Sequence, residues 1–150
     1  MRLFLDANVL FSAALSPAGR ARALFDLASS TPGTLCASPH AIAEAERNIE
    51  LKYPGRLTEL EGLIARLSRT AEATPSMAEE AARLGLPPQD APILAAAIQA
   101  RVGLLVTGDR THFGHLYGKT VQGVEIVTPA DALARLLLRV VTRVDLRDGS

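Results

Sequence analysis

The chain of 150 residues predicts an α/β fold with a mainly parallel central sheet flanked by helices. Two observations carry that expectation. Short apolar runs, each ended by a polar or turn residue, alternate with longer segments of helical period. Ser-Pro and Thr-Pro pairs, which read as a helix cap followed by a first-turn proline, punctuate the pattern. Strands separated by helices imply crossover connections and therefore parallel pairing.

The elements follow in order. Leu3-Phe4-Leu5 and Val9-Leu10-Phe11 flank Asp6, and the first run reads as a buried strand. Ser16-Pro17 reads as the start of a helix carrying Ala21, Leu24, Phe25 and Ala28, which Thr31-Pro32-Gly33 breaks. Thr34 to Ala37 is a second strand, and Ser38-Pro39 opens a helix through about Lys52. After the Tyr53-Pro54-Gly55 turn, Thr58 and Glu61 fit a capping box for a stripe of Leu57, Leu60, Ile64 and Leu67. Ser76 and Glu79 fit another, for a helix to about Leu84. Asp90 lies in the first turn of a helix over Ala91 to about Arg101, with Gly103 as its C-terminal stop. Val102 to Val106 and Val121 to Val127 read as strands, and Thr128-Pro129 starts a helix to about Arg139. In the tail, Arg135, Arg139, Arg143 and Arg147 recur every four residues, while Val140, Val141 and Val144 favour a strand. Those arginines read as a solvated face or as a nucleic-acid or partner contact.

Composition narrows the function. Apolar residues make up 48%, as in globular domains. The length suits one domain over 1–150, with a core at about 2–138 and a tail at 139–150. Aromatic content is 4% and Trp is absent, which argues against a base-stacking platform. The formal charge is zero, unlike that of an always-on electrostatic nucleic-acid binder. All basic residues except Lys52 and Lys119 are arginine, the better bidentate partner for phosphate. Cys36 is alone, so no internal disulfide forms, and a reduced cytoplasmic setting is expected. Asp6 and Asn8 interrupt the N-terminal apolar run too early for a signal peptide. No run reaches the length of a membrane span.

Four acids stand out. Asp6 follows the first strand and Asp109 the Leu104-Leu105-Val106 strand, where open parallel sheets bind ligands. Asp90 opens the helix leading to that second strand, and Glu44 lies in the helix after Ala37. Two carboxylates about 4 Å apart repel by roughly 4 kcal/mol at an effective dielectric of 20. Gathering several therefore requires protonation or a cation, and all-oxygen ligands favour Mg²⁺ or Mn²⁺. His112 and His115 lack the partners that zinc requires.

At these residues the sequence resembles the PIN-domain family, in the toxin-component branch of toxin–antitoxin systems related to VapC ribonucleases. The matching segments are Leu5-Asp6-Ala7-Asn8-Val9-Leu10, Ser38-Pro39 through Glu44-Ala45-Glu46-Arg47-Asn48-Ile49, Asp90-Ala91-Pro92-Ile93-Leu94, Val106-Thr107-Gly108-Asp109-Arg110, and Gly123-Val124 to Thr128-Pro129. The resemblance runs from about residue 2 to 138. It implies a three-layer PIN-like domain with a central sheet of four to five strands. It carries Asp6, Glu44, Asp90 and Asp109 over as catalytic, metal-binding acids for one or two Mg²⁺ or Mn²⁺ ions. Either Glu44 or Glu46 can supply the helix carboxylate: Glu46 lies nearer the Ile42/Ile49 stripe, and spacing from Ser38 favours Glu44. Asn8 and Thr107 resemble supporting polar residues. Where some members carry a further acid, this chain has Thr111 and His112.

The implied activity is metal-dependent hydrolysis of single-stranded RNA, leaving a 5′-phosphate and a 3′-hydroxyl. Arg110 and His112 adjoin Asp109 and are candidates to touch phosphate. The resemblance also implies a cognate antitoxin protein and a homodimer, with no membrane partner. Two other readings compete. One is a catalytically silent module acting through protein or RNA binding. The other is a phosphatase-like enzyme, which would want a second Asp where Asn8 stands.

Overall fold

The structure, a computed structural model, describes residues 1–31 and 33–148, with side chains described up to residue 142. Among the described residues the sheet has six strands: β1 (Leu3–Leu5), β2 (Leu35–Ala37), β3 (Ser68–Arg69), β4 (Leu104–Val106), β5 (Thr120–Val121) and β6 (Val124–Val127). Their spatial order is β3-β2-β1-β4-β6-β5, and every pair is parallel except β5 with β6. The central strands β1, β2 and β4 are buried at every residue. That explains their unbroken apolar runs, since a strand covered on both faces has no polar side to show.

Among the described residues eight α-helices accompany the sheet: α1 (Ala7–Leu15), α2 (Arg20–Ala28), α3 (Pro39–Lys52), α4 (Leu57–Ile64), α5 (Pro75–Ala82), α6 (Ala91–Gln99), α7 (Arg110–Phe113) and α8 (Pro129–Asp148). Helix α1 packs on α2, α3 and α4, while α2 meets α8 and α5 meets α6. From β1 the chain winds outward through β2 to β3, then returns to β4 on the other side of β1. Right-handed crossovers in opposite directions place helices on both faces of the sheet. The reversal between β1 and β4 opens a crevice beyond their carboxyl ends.

The sheet exceeds the expected four to five strands for local reasons. Val121 to Val127 is a hairpin, not one strand: Gln122 (φ 47°) and Gly123 (φ 87°) both take the left-handed region. That is the primed turn that suits a tight two-residue connection. The other addition, β3, is a two-residue edge strand with no apolar run to announce it.

Several helix boundaries also differ. Ser16 ends α1 rather than starting the next helix, and α2 begins at Arg20 behind Gly19. The second apolar run, Val9-Leu10-Phe11, lies inside α1. Helix α4 starts at Leu57, after a 3₁₀ turn over Pro54–Arg56, without a side-chain cap from Thr58. Thr74, not Ser76, caps α5 by accepting from the Met77 N–H. Arg101 (φ 56°), not Gly103, takes the left-handed position behind α6. Helix α8 runs to Asp148, well past Arg139, although its valines favour a strand. Its Arg135 forks onto the Glu125 carboxylate of β6, an internal pair rather than a free face. Arg143 and Arg147 lie outside the described side chains.

Ser38-Pro39 opens α3 as expected: Ser38 is fully buried and its Oγ accepts from the Ala41 N–H at 3.3 Å. Losing such a cap costs about 1 kcal/mol. Ser38→Ala is therefore expected to lower the melting temperature by about 2–4 °C, read by circular dichroism. An unchanged melting temperature would show that the cap does not hold α3.

Candidate active site

The β1/β4 register builds the first part of the site. Leu5 pairs with Val106, so Asp6 and Thr107 leave the sheet side by side. Asp6 caps α1, its Oδ1 accepting from the Ala7 N–H at 2.7 Å. Its Oδ2 accepts from Thr107 Oγ1 at 2.7 Å and from Asn8 Nδ2 at 3.1 Å. Thr107 Oγ1 in turn accepts from the Asp109 N–H at 3.1 Å and from Asn8 Nδ2 at 3.3 Å. Asn8 Oδ1 takes the Gly108 N–H at 2.9 Å. Asp6 and Thr107 are both buried.

The other acids arrive from separate elements. Asp90 is the N-terminal cap residue of α6, yet its carboxylate makes no cap bond and its buried Oδ2 has no hydrogen-bond partner. Asp109 caps α7, its Oδ1 accepting from the His112 N–H at 3.1 Å. Three residues on, the His112 ring turns back between the two acids. Its Nδ1 lies 2.9 Å from Asp90 Oδ2 and 2.8 Å from Asp109 Oδ2. Both are close charge contacts rather than well-formed hydrogen bonds, so the buried Asp90 oxygen meets the His112 ring without a hydrogen bond of good geometry. Asp90, Asp109 and His112 offer donor atoms within 4.8 Å of one another.

Glu44, half-buried on α3, completes the gathering. Its charge bears on both Asp6 and Asp90, whereas Glu46 acts on neither. Charge thus links Asp6 and Glu44 to Asp90, and Asp90 to Asp109, but neither Asp6 nor Glu44 joins the Asp90, Asp109 and His112 donor group, and Asn8 and Thr107 are bonded to Asp6. Arg110 is exposed and lines an adjoining cavity of about 290 Å³ with Arg20, Ser12 and Tyr117. Tyr117 was not singled out from the sequence. Its hydroxyl donates to the Thr107 carbonyl at 2.8 Å, and nothing in its local sequence signals that contact. The ring position of His112 between two acids was equally hidden, although its spacing of three from Asp109 is a visible hint.

A family profile for the PIN domain matches residues 2–111. The chain belongs to the PIN domain family. No curated protein sequence gives a significant match. Among solved structures, PAE2754 from Pyrobaculum aerophilum is similar at a TM-score of 0.69 and 18% identity, covering 92% of this chain and 90% of that one. The DNA-bound VapBC structure from Salmonella typhimurium gives 0.65 and 22%, covering 86% and 98%. VapC20 from Mycobacterium tuberculosis, described as a Sarcin-Ricin loop cleaving toxin, gives 0.53 and 13%, covering 73% and 91%. These likenesses concern the fold.

Electrostatics mark the crevice of this PIN domain. Burial pushes the Asp6 carboxyl up from 3.8 to about 6; its bonds from Thr107 and Ala7 oppose this, and the Asp90 and Glu44 charges add to it. Burial likewise raises Asp90, with the His112 charge opposing and Asp109 and Glu44 adding. For Asp6 the folded state binds its proton more tightly than the unfolded state. Its contribution to stability is present in full below about pH 4 and is lost as pH rises to about 6. The loss amounts to about 3 kcal/mol. With chelator present, Asp6→Asn should therefore gain stability relative to the parent by up to that amount between pH 4 and pH 7, measured by urea unfolding. A difference that stays constant with pH would refute the assignment.

Proposed function

We propose that this PIN domain, over residues 1–150, is a metal-dependent ribonuclease hydrolysing phosphodiester bonds of single-stranded RNA, and the toxin of a toxin–antitoxin pair. The observation that carries the reading is the mutual repulsion linking Asp6, Glu44, Asp90 and Asp109, with a buried Asp90 oxygen met by the His112 ring without a hydrogen bond of good geometry. That donor set fits a hard divalent ion, Mg²⁺ or Mn²⁺. Asp6, Glu44, Asp90 and Asp109 would hold one or two such ions. When bound, the metal supplies an activated water and offsets charge on the phosphate.

The remaining roles belong to the chain itself. Thr107 and Asn8 each donate to the Asp6 carboxylate and are bonded to each other, which holds it in one orientation. The His112 N–H does the same for Asp109. Arg110, with Arg20 across the cavity, offers guanidinium donors to an RNA phosphate beside the acids. The neighbours described as VapBC and as a Sarcin-Ricin loop cleaving toxin support the toxin reading and an antitoxin partner. Exposed Leu137, Leu138 and Val141 on α8 support a covered face there, with a second copy of the chain as occupant. No described helix is long and apolar enough to cross a membrane, and the cytoplasm is the proposed location.

Two measurements test the proposal. RNA cleavage should need Mg²⁺ or Mn²⁺ and fall about a hundredfold or more in Asp6→Asn and Asp90→Asn. Equal cleavage by parent and variants would assign the activity to a contaminant. Independently, metal at 100 times its Kd should stabilise the parent by about 2.7 kcal/mol, and Asp90→Asn should abolish most of that shift. No shift at millimolar metal would favour the silent binding module.

A further inference from the structure

We propose that His112 is itself a metal ligand, making this a mixed oxygen–nitrogen site that prefers Mn²⁺ to Mg²⁺. The inference rests on the metal reading above. Its first support is geometry. Nδ1 of His112 lies 2.9 Å and 2.8 Å from single oxygens of Asp90 and Asp109. Metal–ligand bonds of about 2.0–2.2 Å at right angles put neighbouring ligand atoms about 3 Å apart. Both observed separations match that edge.

The second support is Asp90. It is 6% exposed, and the oxygen facing His112 has no hydrogen-bond partner. A buried acceptor met only by a close ring contact is poorly satisfied, and a cation shared between ring and carboxylate would answer it more fully. The ring is held in place to share one. His112 occupies the first turn of α7, its N–H holding Asp109 Oδ1 and leaving Oδ2 to face the imidazole. The fully buried Phe113 ties that turn to the core. The other two histidines are engaged elsewhere. His40 Nε2 lies 3.1 Å from the Gln89 carbonyl oxygen, and His115 Nε2 lies 2.8 Å from that of Leu84.

Ligand chemistry sets the preference. Mg²⁺ is suited to oxygen ligands and keeps several waters, whereas imidazole suits transition ions. Mn²⁺ accepts carboxylates as Mg²⁺ does and gains from the added nitrogen. A histidine ligand therefore bears on which ion the site selects, not only on how many charges it holds.

The test is pulsed electron paramagnetic resonance of Mn²⁺ bound to the full chain, with Mg²⁺ competition. The parent should show ¹⁴N coupling from a directly bound imidazole, retained in His40→Gln and His115→Gln. His112→Asp should still bind Mn²⁺, lose the coupling, and lose about tenfold or more of the Mn²⁺-over-Mg²⁺ affinity ratio. Mn²⁺ bound to the parent without ¹⁴N coupling would overturn the role of His112 and leave the carboxylate reading standing. Failure of the parent to bind Mn²⁺ at millimolar concentration would overturn both. Should His112→Asp not fold, the spectra of the parent and the two control variants decide the matter.

Discussion

A carboxylate buried at a strand end must have its oxygens answered by donors, and the crevice is organised around that demand at Asp6. Thr107 has a single hydroxyl proton, which goes to Asp6, while the same oxygen accepts from Asp109 and Asn8. Asn8 gives its amide hydrogens to Asp6 and Thr107 and takes the Gly108 N–H on its oxygen. The network closes because β1 and β4 pair with Leu5 opposite Val106. A slip of one residue would turn Thr107 to the other face of the sheet. The hydroxyl would be lost, and Asp6 would be left buried with its charge largely unanswered.

The placement of the acids moderates their repulsion without removing it. Asp6, Asp90 and Asp109 are the N-terminal cap residues of α1, α6 and α7. Negative charge there is favoured by about 0.3–1 kcal/mol per helix. Two carboxylates about 4 Å apart repel by roughly 4 kcal/mol at an effective dielectric of 20. Helix ends therefore offset only part of the cost. Burial, more than repulsion, raises the Asp6 carboxyl to about 6 and shifts Asp90 upward, and the neighbouring acids add to both shifts.

What the sequence discloses follows from how local each signal is. The strands β1, β2 and β4 are legible as apolar runs because burial on both faces leaves no alternation to read. Ser38-Pro39 is legible because the cap bond spans only three residues. By contrast, Thr58 and Ser76 carry capping patterns that their helices do not use, since the preceding 3₁₀ turn and Thr74 supply the start instead. The two-residue strand β3 exists only through its pairing with β2, so no local pattern announces it. In the site, Asp6 and Asp109 can be located because each ends a strand. The choice between Glu44 and Glu46 cannot be made locally, because both are half-buried on α3 and only the packing of that helix brings Glu44 to the acids. Tyr117 belongs with these long-range cases, reaching Thr107 across α7.

The acids also divide by how they are held. Asp6 is firmly held: three donors reach its two oxygens, so its orientation is set before anything binds, with acceptor capacity left over. Asp109 gives one oxygen to the His112 N–H and turns the other toward the ring. Asp90 has no cap bond, and its inner oxygen meets the His112 ring in a close contact outside good hydrogen-bond geometry. A fully satisfied network rigidifies, whereas an unsatisfied buried group stores a cost that a suitable partner relieves. The unmet demand therefore lies on the Asp90–Asp109 side of the crevice, and the rigid framework lies on the Asp6–Thr107 side. A site arranged this way is pre-organised by one strand pair and left open by one helix start, so orientation and affinity are carried by different residues.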